Sequence, residues 1–349
     1  MKTPFKFLLL LVCAVSPLAR AAGNDDDVRK EKTISKTFSV NPDATLEVTN
    51  QYGSVYVTTT DDAVISIKAV VKVSGKNPDA VEKRLNGIDI EMEGSRSLVS
   101  ARTKISGNGG RTSIEINYTI SIPRKGNIKI TNQYGPVLLD RIAGDARLNL
   151  QYGRLTAAAL EGDTVLNMQY CDGSQVTSLR AGTVSIQYSD LTVAKAKTMT
   201  ANSDYSDLRV DDVDNLSVKM DYGSLKVKSA ATVVVNGNYF GMDLGTLEKS
   251  LTARGNYDSF KIGNILPGAG NVTVSGDYTN VEIGHDANYA FDFDIKLNYV
   301  DFRPPSGWQY KSRRETHSST SYQGTYKTAG ANRLTVDLNY GSLKVDKKP

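Results

Sequence analysis

The sequence predicts an all-β fold: a single-stranded parallel β-helix, or β-solenoid, with coils of about 17–21 residues and an N-terminal β-rich cap that carries one short helix. Three observations point to it. One phrase recurs, at Tyr52 and then at Tyr134, Tyr152, Tyr170, Tyr188, Tyr205, Tyr222, Tyr239, Tyr257, Tyr278, Tyr299 and Tyr340. From Tyr134 its steps are 18, 18, 18, 17, 17, 17 and 18 residues, then 21, 21 and 41. A fixed period of this size marks units that bury their apolar faces only by stacking on neighbours.

The second observation is alternation. Counted from the Tyr, positions −4 and −2 are mostly apolar (Leu148 and Leu150, Val184 and Ile186, Val218 and Met220), and so are +3 and +5 (Val55 and Val57, Leu191 and Val193, Phe260 and Ile262). Each unit therefore reads as a half-buried strand, a bend at the Tyr, and a second half-buried strand. The third is the +4 column, Lys226, Asp243, Lys261, Glu282 and Arg303. Its charges alternate, which stabilises strands stacked in parallel register, each next to its sequence neighbour. An antiparallel meander would satisfy the same phase with a hairpin at the Tyr. Favoured hairpin turns need positive φ at both loop positions. The residue after the Tyr is Phe240, Val300, Thr279 or Cys171 in several units, and these suit that conformation poorly.

In chain order, Met1–Ala21 has the form of an export signal: Lys2 and Lys6, an apolar stretch from Phe7 to Val15, and a small-x-small end at Ala19-Arg20-Ala21. The apolar stretch is too short to span a bilayer, so the mature chain is expected to have no transmembrane segment. Residues 22–32 are charged and apolar-poor, as in a flexible tether. Residues 33–125 read as the β-rich cap. Within it Asn77-Pro78-Asp79 is a helix start, the helix ends near Asn86-Gly87, and strands follow at Ile88–Met92, Leu98–Ile105 and Ile114–Ile122. Residues 126–349 read as the solenoid, interrupted at 303–333 by a loop or hairpin with strands near Trp308–Thr316 and Thr320–Lys327.

The whole chain has 42 Lys plus Arg against 38 Asp plus Glu. Loss of Lys2, Lys6 and Arg20 with the signal leaves a nearly neutral protein, without the basic footprint that nucleic acid or an anionic membrane requires. Cys171 is the one cysteine outside the signal, so no internal disulfide is expected. A monomer without cofactors follows from the same reading.

The leads Ile130-Thr131-Asn132-Gln133-Tyr134-Gly135 and Leu338-Asn339-Tyr340-Gly341-Ser342-Leu343, with Tyr118-Thr119-Ile120-Ser121-Ile122-Pro123 before the first full coil, resemble the bacterial putative-adhesin family of exported β-solenoids, related to the auto-transporter adhesin head with its Gly-Ile-Asn motif. The resemblance covers roughly residues 33–345. It implies an exported, non-catalytic protein of the periplasm or cell surface that binds an envelope protein or a glycan.

Four groups of residues are candidates for chemistry. The Tyr column could stack on sugars, but the parity of the strands places it at an inward corner, ring on ring. Asp172, Asp190 and Asp207 share position +2 in successive units. Stacked carboxylates repel, which Ca²⁺ would relieve, and the same cluster is where a polysaccharide lyase or glycosidase acid/base pair would sit. Corner aspartates also cap their own backbone. His285 and His317 have no metal-binding company at zinc spacing. The 303–333 segment combines Trp308, Tyr310, Arg313 and Arg314, residue types that anchor binding; alternatively the segment only covers the open end of the coil stack. The reading is of an adhesin-like binding or spacing protein, not an enzyme. A polysaccharide-active enzyme and a periplasmic partner of envelope signalling are the alternatives.

Overall fold

A computed structural model describes residues 27–348. The expected export signal, Met1–Ala21, and residues 22–26 lie outside the described residues. Among the described residues the protein is nearly all β, with one short helix and a long sheet that mixes parallel and antiparallel pairs. It divides into two compact units at Thr164/Val165.

The first unit carries two ribbons of strands. In one, β1 (Val28–Ser39) pairs antiparallel with β4 (Val64–Gly75), and β4 antiparallel with β7 (Thr112–Pro123). The ribbon continues in parallel through β3 (Val55–Thr60), β9 (Pro136–Ile142) and the start of β11 (Arg154–Gln169). In the other, β5 (Ile88–Gly94) pairs antiparallel with β6 (Leu98–Ile105), followed in parallel by β2 (Thr45–Gln51), β8 (Asn127–Gln133) and β10 (Ala146–Gln151). Leu46, Val48, Val55, Val57, Ile128, Ile130, Val137 and Leu139 are buried, as the alternation requires. Helix α1 (Pro78–Asn86) starts where Asn77 accepts hydrogen bonds from the amides of Asp79 and Ala80, and it buries Val81 and Leu85. Val28–Lys32, whose composition suggests a tether, instead forms the first half of β1, in register with Val71–Gly75. A long β4 edge satisfies its main chain whatever its side chains, so composition alone misjudges it.

The second unit is dominated by parallel, in-register pairing. In β12 (Ser174–Gln187) Ser174 lies beside Leu191 and Gln187 beside Asp204 of β13 (Asp190–Asn256). Strand β13 runs on to pair with β14 (Ser259–Ile265), and both pair with β15 (Val272–Asp286). The order then departs from the chain. Strand β19 (Arg333–Lys348) lies between β15 and β16 (Phe291–Phe302), parallel to each. The hairpin of β17 (Gln309–Glu315) and β18 (Ser319–Tyr326) adds antiparallel to β16, with Phe291 beside Tyr326.

This insertion corrects the expected charge column. Asp243 lies beside Lys261 and Lys261 beside Glu282, but Glu282 lies beside Lys344, not Arg303. Lys344 keeps the alternation of sign, so the pattern that suggested sequential stacking is satisfied by a strand much later in the chain.

Candidate functional site

The recurring Tyr is the corner itself. All twelve of these tyrosines have φ between 47° and 63°, the left-handed region that costs an L-residue roughly 1–2 kcal/mol. The Tyr takes this conformation despite its bulk, while Cys171, Phe240, Thr279 and Val300, which follow it, do not. The hydrogen-bond ladder explains why. The amide of Tyr188 donates to the carbonyl of Asp204 one repeat on, and that of Tyr257 to Asp277, while the Asp207 amide donates back to Ser189. The bend thus interrupts no ladder bond. Stacking adds to this: in the first unit Tyr52, Tyr134 and Tyr152 stack at 5.2 and 5.0 Å. In the second, Tyr170, Tyr188, Tyr205, Tyr222, Tyr239, Tyr257, Tyr278, Tyr340 and Tyr299 stack in that order at 4.8–5.1 Å. Such pairs contribute about 0.5–1.5 kcal/mol each, enough to offset most of the backbone cost.

The column does not point inward, as parity suggested. Its rings are 38–61% exposed, because the left-handed corner swings Cβ out of the alternation. Ring faces are covered by neighbouring rings, so solvent meets edges and hydroxyls. Beside them, at position −1, amides pair with one another, interrupted by Asp204, Asp221 and Asp277. Gln51 donates to Gln133 and Gln133 to Gln151 at 3.1 and 2.6 Å, Gln169 to Gln187 at 2.8 Å, Asn256 to Asn238 at 3.1 Å and Asn298 to Asn339 at 2.7 Å.

Inside the corner, position +1 closes the turn. Ser189 and Ser206 hydroxyls donate to the carbonyls of Gln187 and Asp204, and each accepts the amide of the preceding unit's +1 residue, Cys171 and Ser189. Cys171 sits there as a small buried residue. Asp258 plays the same part with a carboxylate, Oδ1 accepting the Phe240 amide at 2.8 Å. Its Oδ2 is buried without a hydrogen bond, and burial pushes the carboxyl up to about 7.

Asp172, Asp190 and Asp207 do approach one another. Burial raises the Asp190 pKa, and the charges of Asp172 and Asp207 add to it. Ser224 donates to Asp207 at 2.5 Å. Among the described residues no group of three or more His, Cys, Asp and Glu is arranged to hold a metal ion. His285 is buried, with Nδ1 against the Asp286 carbonyl and Phe291 and Tyr326 packed on the ring.

The structure separates the four residues proposed in 303–333. Trp308 is buried, 4.3 Å from Phe293 and 6.1 Å from Phe291 between ring centroids. That places it in an aromatic core, not at a contact surface. Arg313 is exposed, pairs with Glu315 at 2.8 Å and lies over the rings of Tyr310 and Tyr322. Tyr310 is partly exposed and Arg314 exposed. The hydroxyl of Tyr322 donates to Glu315.

A feature the sequence reading passed over lies in the second unit. Position −2 faces the interior and carries a side chain, apolar in half of the units, yet it is glycine at Gly237, Gly255 and Gly276. The same units have large or polar +1 residues, Phe240, Asp258 and Thr279, where the other units, apart from Val300, have Gly, Cys or Ser. A Cβ on Gly255 would meet Asp258 Oδ2 at 1.8 Å, and one on Gly276 would meet Thr279 Oγ1 at 2.7 Å. The two positions share one interior space. The glycine backbone forms the floor of a groove of about 390 Å³. Its walls are Asn236, Arg254, Ser275 and Asp337 on one side and Asn256, Asp277 and Asn339 on the other. The signal was present in the sequence as three successive glycines in an apolar column.

No protein family and no curated protein matches the chain. Solved structures do. It is similar to a "putative adhesin" from Parabacteroides distasonis (12% identity, 90% of this chain, 97% of that chain, TM-score 0.32). It is also similar to a "putative adhesin" from Bacteroides fragilis (11%, 90% and 97%, 0.23). A third is a "putative lipid binding protein" from Parabacteroides distasonis (11%, 91% and 97%, 0.31). Among the described residues no helix is long and apolar enough to cross a membrane.

Proposed function

We propose that this chain is an exported, non-catalytic β-solenoid of the periplasm or cell surface that binds an envelope protein or glycan through its corner face. The observation that carries the reading is the in-register parallel pairing. It sets the same corner residue side by side from repeat to repeat within each unit and so builds an exposed ladder of phenol edges flanked by amides and, at Asp204, Asp221 and Asp277, by carboxylates. Such a surface repeats hydrogen-bonding groups at the strand spacing of about 4.8 Å, which suits an extended partner better than a compact one. The 303–326 segment has a capping role in this reading, since β18 pairs along β16 and Trp308 is spent on the core.

The test keeps the stack and removes only the hydroxyls. Tyr205→Phe, Tyr222→Phe and Tyr239→Phe are combined in one variant, and envelope material is recovered on wild type and variant. Lower recovery at an unchanged melting temperature supports the ladder; equal recovery rejects it. The enzyme reading rests on the raised Asp190 carboxyl beside Asp172 and Asp207. Release of reducing ends from a polysaccharide by wild type, but not by Asp190→Asn, would replace the binding reading with it.

A further inference from the structure

We infer that the groove floored by Gly237, Gly255 and Gly276 is a subsite for a neutral glycan chain; this rests on the binding reading above and gives it a place and a substrate class. Three features lead to it. The floor is main chain. Gly255 lies beside Gly276, and a Cβ on Gly255 would stand 2.8 Å from the Gly237 carbonyl, so the glycines run across three adjacent strands. The groove takes wall residues from four successive strands of the stack, at Asn236, Arg254, Ser275 and Asp337. It therefore runs along the stack, the direction a linear chain would follow.

Its walls carry hydrogen-bonding groups of every kind a sugar hydroxyl can use: three amides, a hydroxyl, a guanidinium and two carboxylates. Several are held in place by the fold. Asn339 donates to Asp277 at 2.6 Å, and Asn256 accepts the Asp277 amide at 3.1 Å while donating to Asn238. Preorganised donors and acceptors of this sort lower the ordering cost of binding.

Charge selects the class. Asp277 and Asp337 outnumber Arg254, so a uronate or sulfated sugar would meet net repulsion, whereas hydroxyls accept from Arg254 and the amides and donate to the carboxylates. The edges of Tyr257 and Tyr278, next to Asn256 and Asp277, extend the wetted apolar rim. Below the floor, Asp258 and Thr279 occupy the space that inward side chains at Gly255 and Gly276 would take.

The experiment uses the mature chain and three labelled oligosaccharide sets: neutral β-linked hexose oligomers, N-acetylhexosamine oligomers and oligouronates. Binding is followed by fluorescence anisotropy. The variants are Asp277→Ala, which removes a wall acceptor, and Ser275→Tyr, which fills the groove from its outer wall and leaves the floor untouched. Binding of a neutral or N-acetylated set, weakened at least tenfold by both substitutions at unchanged melting temperature, is expected. Binding that ignores both substitutions, binding of oligouronates alone, or no binding to any set overturns the proposal. The ladder variant separates the two claims. If envelope recovery depends on the tyrosine hydroxyls but not on Ser275→Tyr, the groove inference fails and the binding reading stands.

Discussion

The corners at Tyr222 and Tyr257 solve one packing problem in opposite ways. At Tyr222 the interior space is filled from before the bend: Met220 is buried, and Gly223 follows, where a Cβ would lie 2.0 Å from the Ser206 carbonyl. At Tyr257 it is filled from after the bend, by Asp258, and Gly255 precedes. The corner Tyr itself barely changes, with φ of 56° and 60° and stacking at 4.8–4.9 Å on both sides. At these two corners the interior is thus filled from one or the other of the paired positions. What differs is the chemistry inside, apolar at one corner and ionisable at the other.

The harshest way to break this comparison is to fill both positions at once. Gly237→Leu places a Cβ 1.6 Å from the Met220 carbonyl, a backbone atom with nowhere to go. A loss above about 4 kcal/mol is expected, at the exceptional end for one substitution, read by urea unfolding. The next test empties the position: Met220→Ala leaves a cavity in a packed column and should cost about 2–5 kcal/mol with little change in m-value.

The ionisable corner predicts a pH dependence that the apolar one lacks. The Asp258 carboxyl titrates near 7 in the folded protein and near 3.8 ordinarily. Between those values the native state holds a proton that the unfolded chain has released. Stability is therefore fully present below about pH 4, falls as pH rises to about 7, and is level above. At 1.36 kcal/mol per unit the fall is at most about 4 kcal/mol. Asp258→Asn, which keeps an acceptor for the Phe240 amide, should remove that component, seen as a flatter melting temperature between pH 4.5 and 8.

The smallest effect sharpens what the corners share. Tyr222→Ala loses two ring contacts yet retains the left-handed strain, for about 1–2 kcal/mol. Tyr222→Asn loses the rings but tolerates the backbone, and should cost less than alanine does, measured by the same unfolding curves. If alanine and asparagine cost the same, the strain argument for the corner fails.

Much of this was legible in the chain itself. The alternation about each Tyr identifies the buried positions, Leu148, Ile186, Leu225 and Phe260 among them, because a strand's side chains must change faces at every residue. Asn77-Pro78 marks the start of α1 for an equally local reason, a cap and a fixed φ. The strands read at Leu98–Ile105 and near Trp308–Thr316 appear as β6 and β17, with ends set by pairing. The glycine column was visible too, but its meaning depends on Asp258 and Thr279 lying in the space that Gly255 and Gly276 vacate, a contact no spacing rule anticipates.

Sequence alone determined the period, the faces of the strands and the start of α1, since each follows from local geometry. Tertiary structure decided adjacency and exposure. Any unit with the common register can pair with any other, so nothing in the period dictates that β19 enters between β15 and β16 or that Lys344 replaces Arg303 beside Glu282. The left-handed bend, held by hydrogen bonds to the next strand, turned the tyrosines outward against their parity. Trp308, which by composition belonged on a surface, was claimed by Phe291 and Phe293 once the hairpin folded along β16.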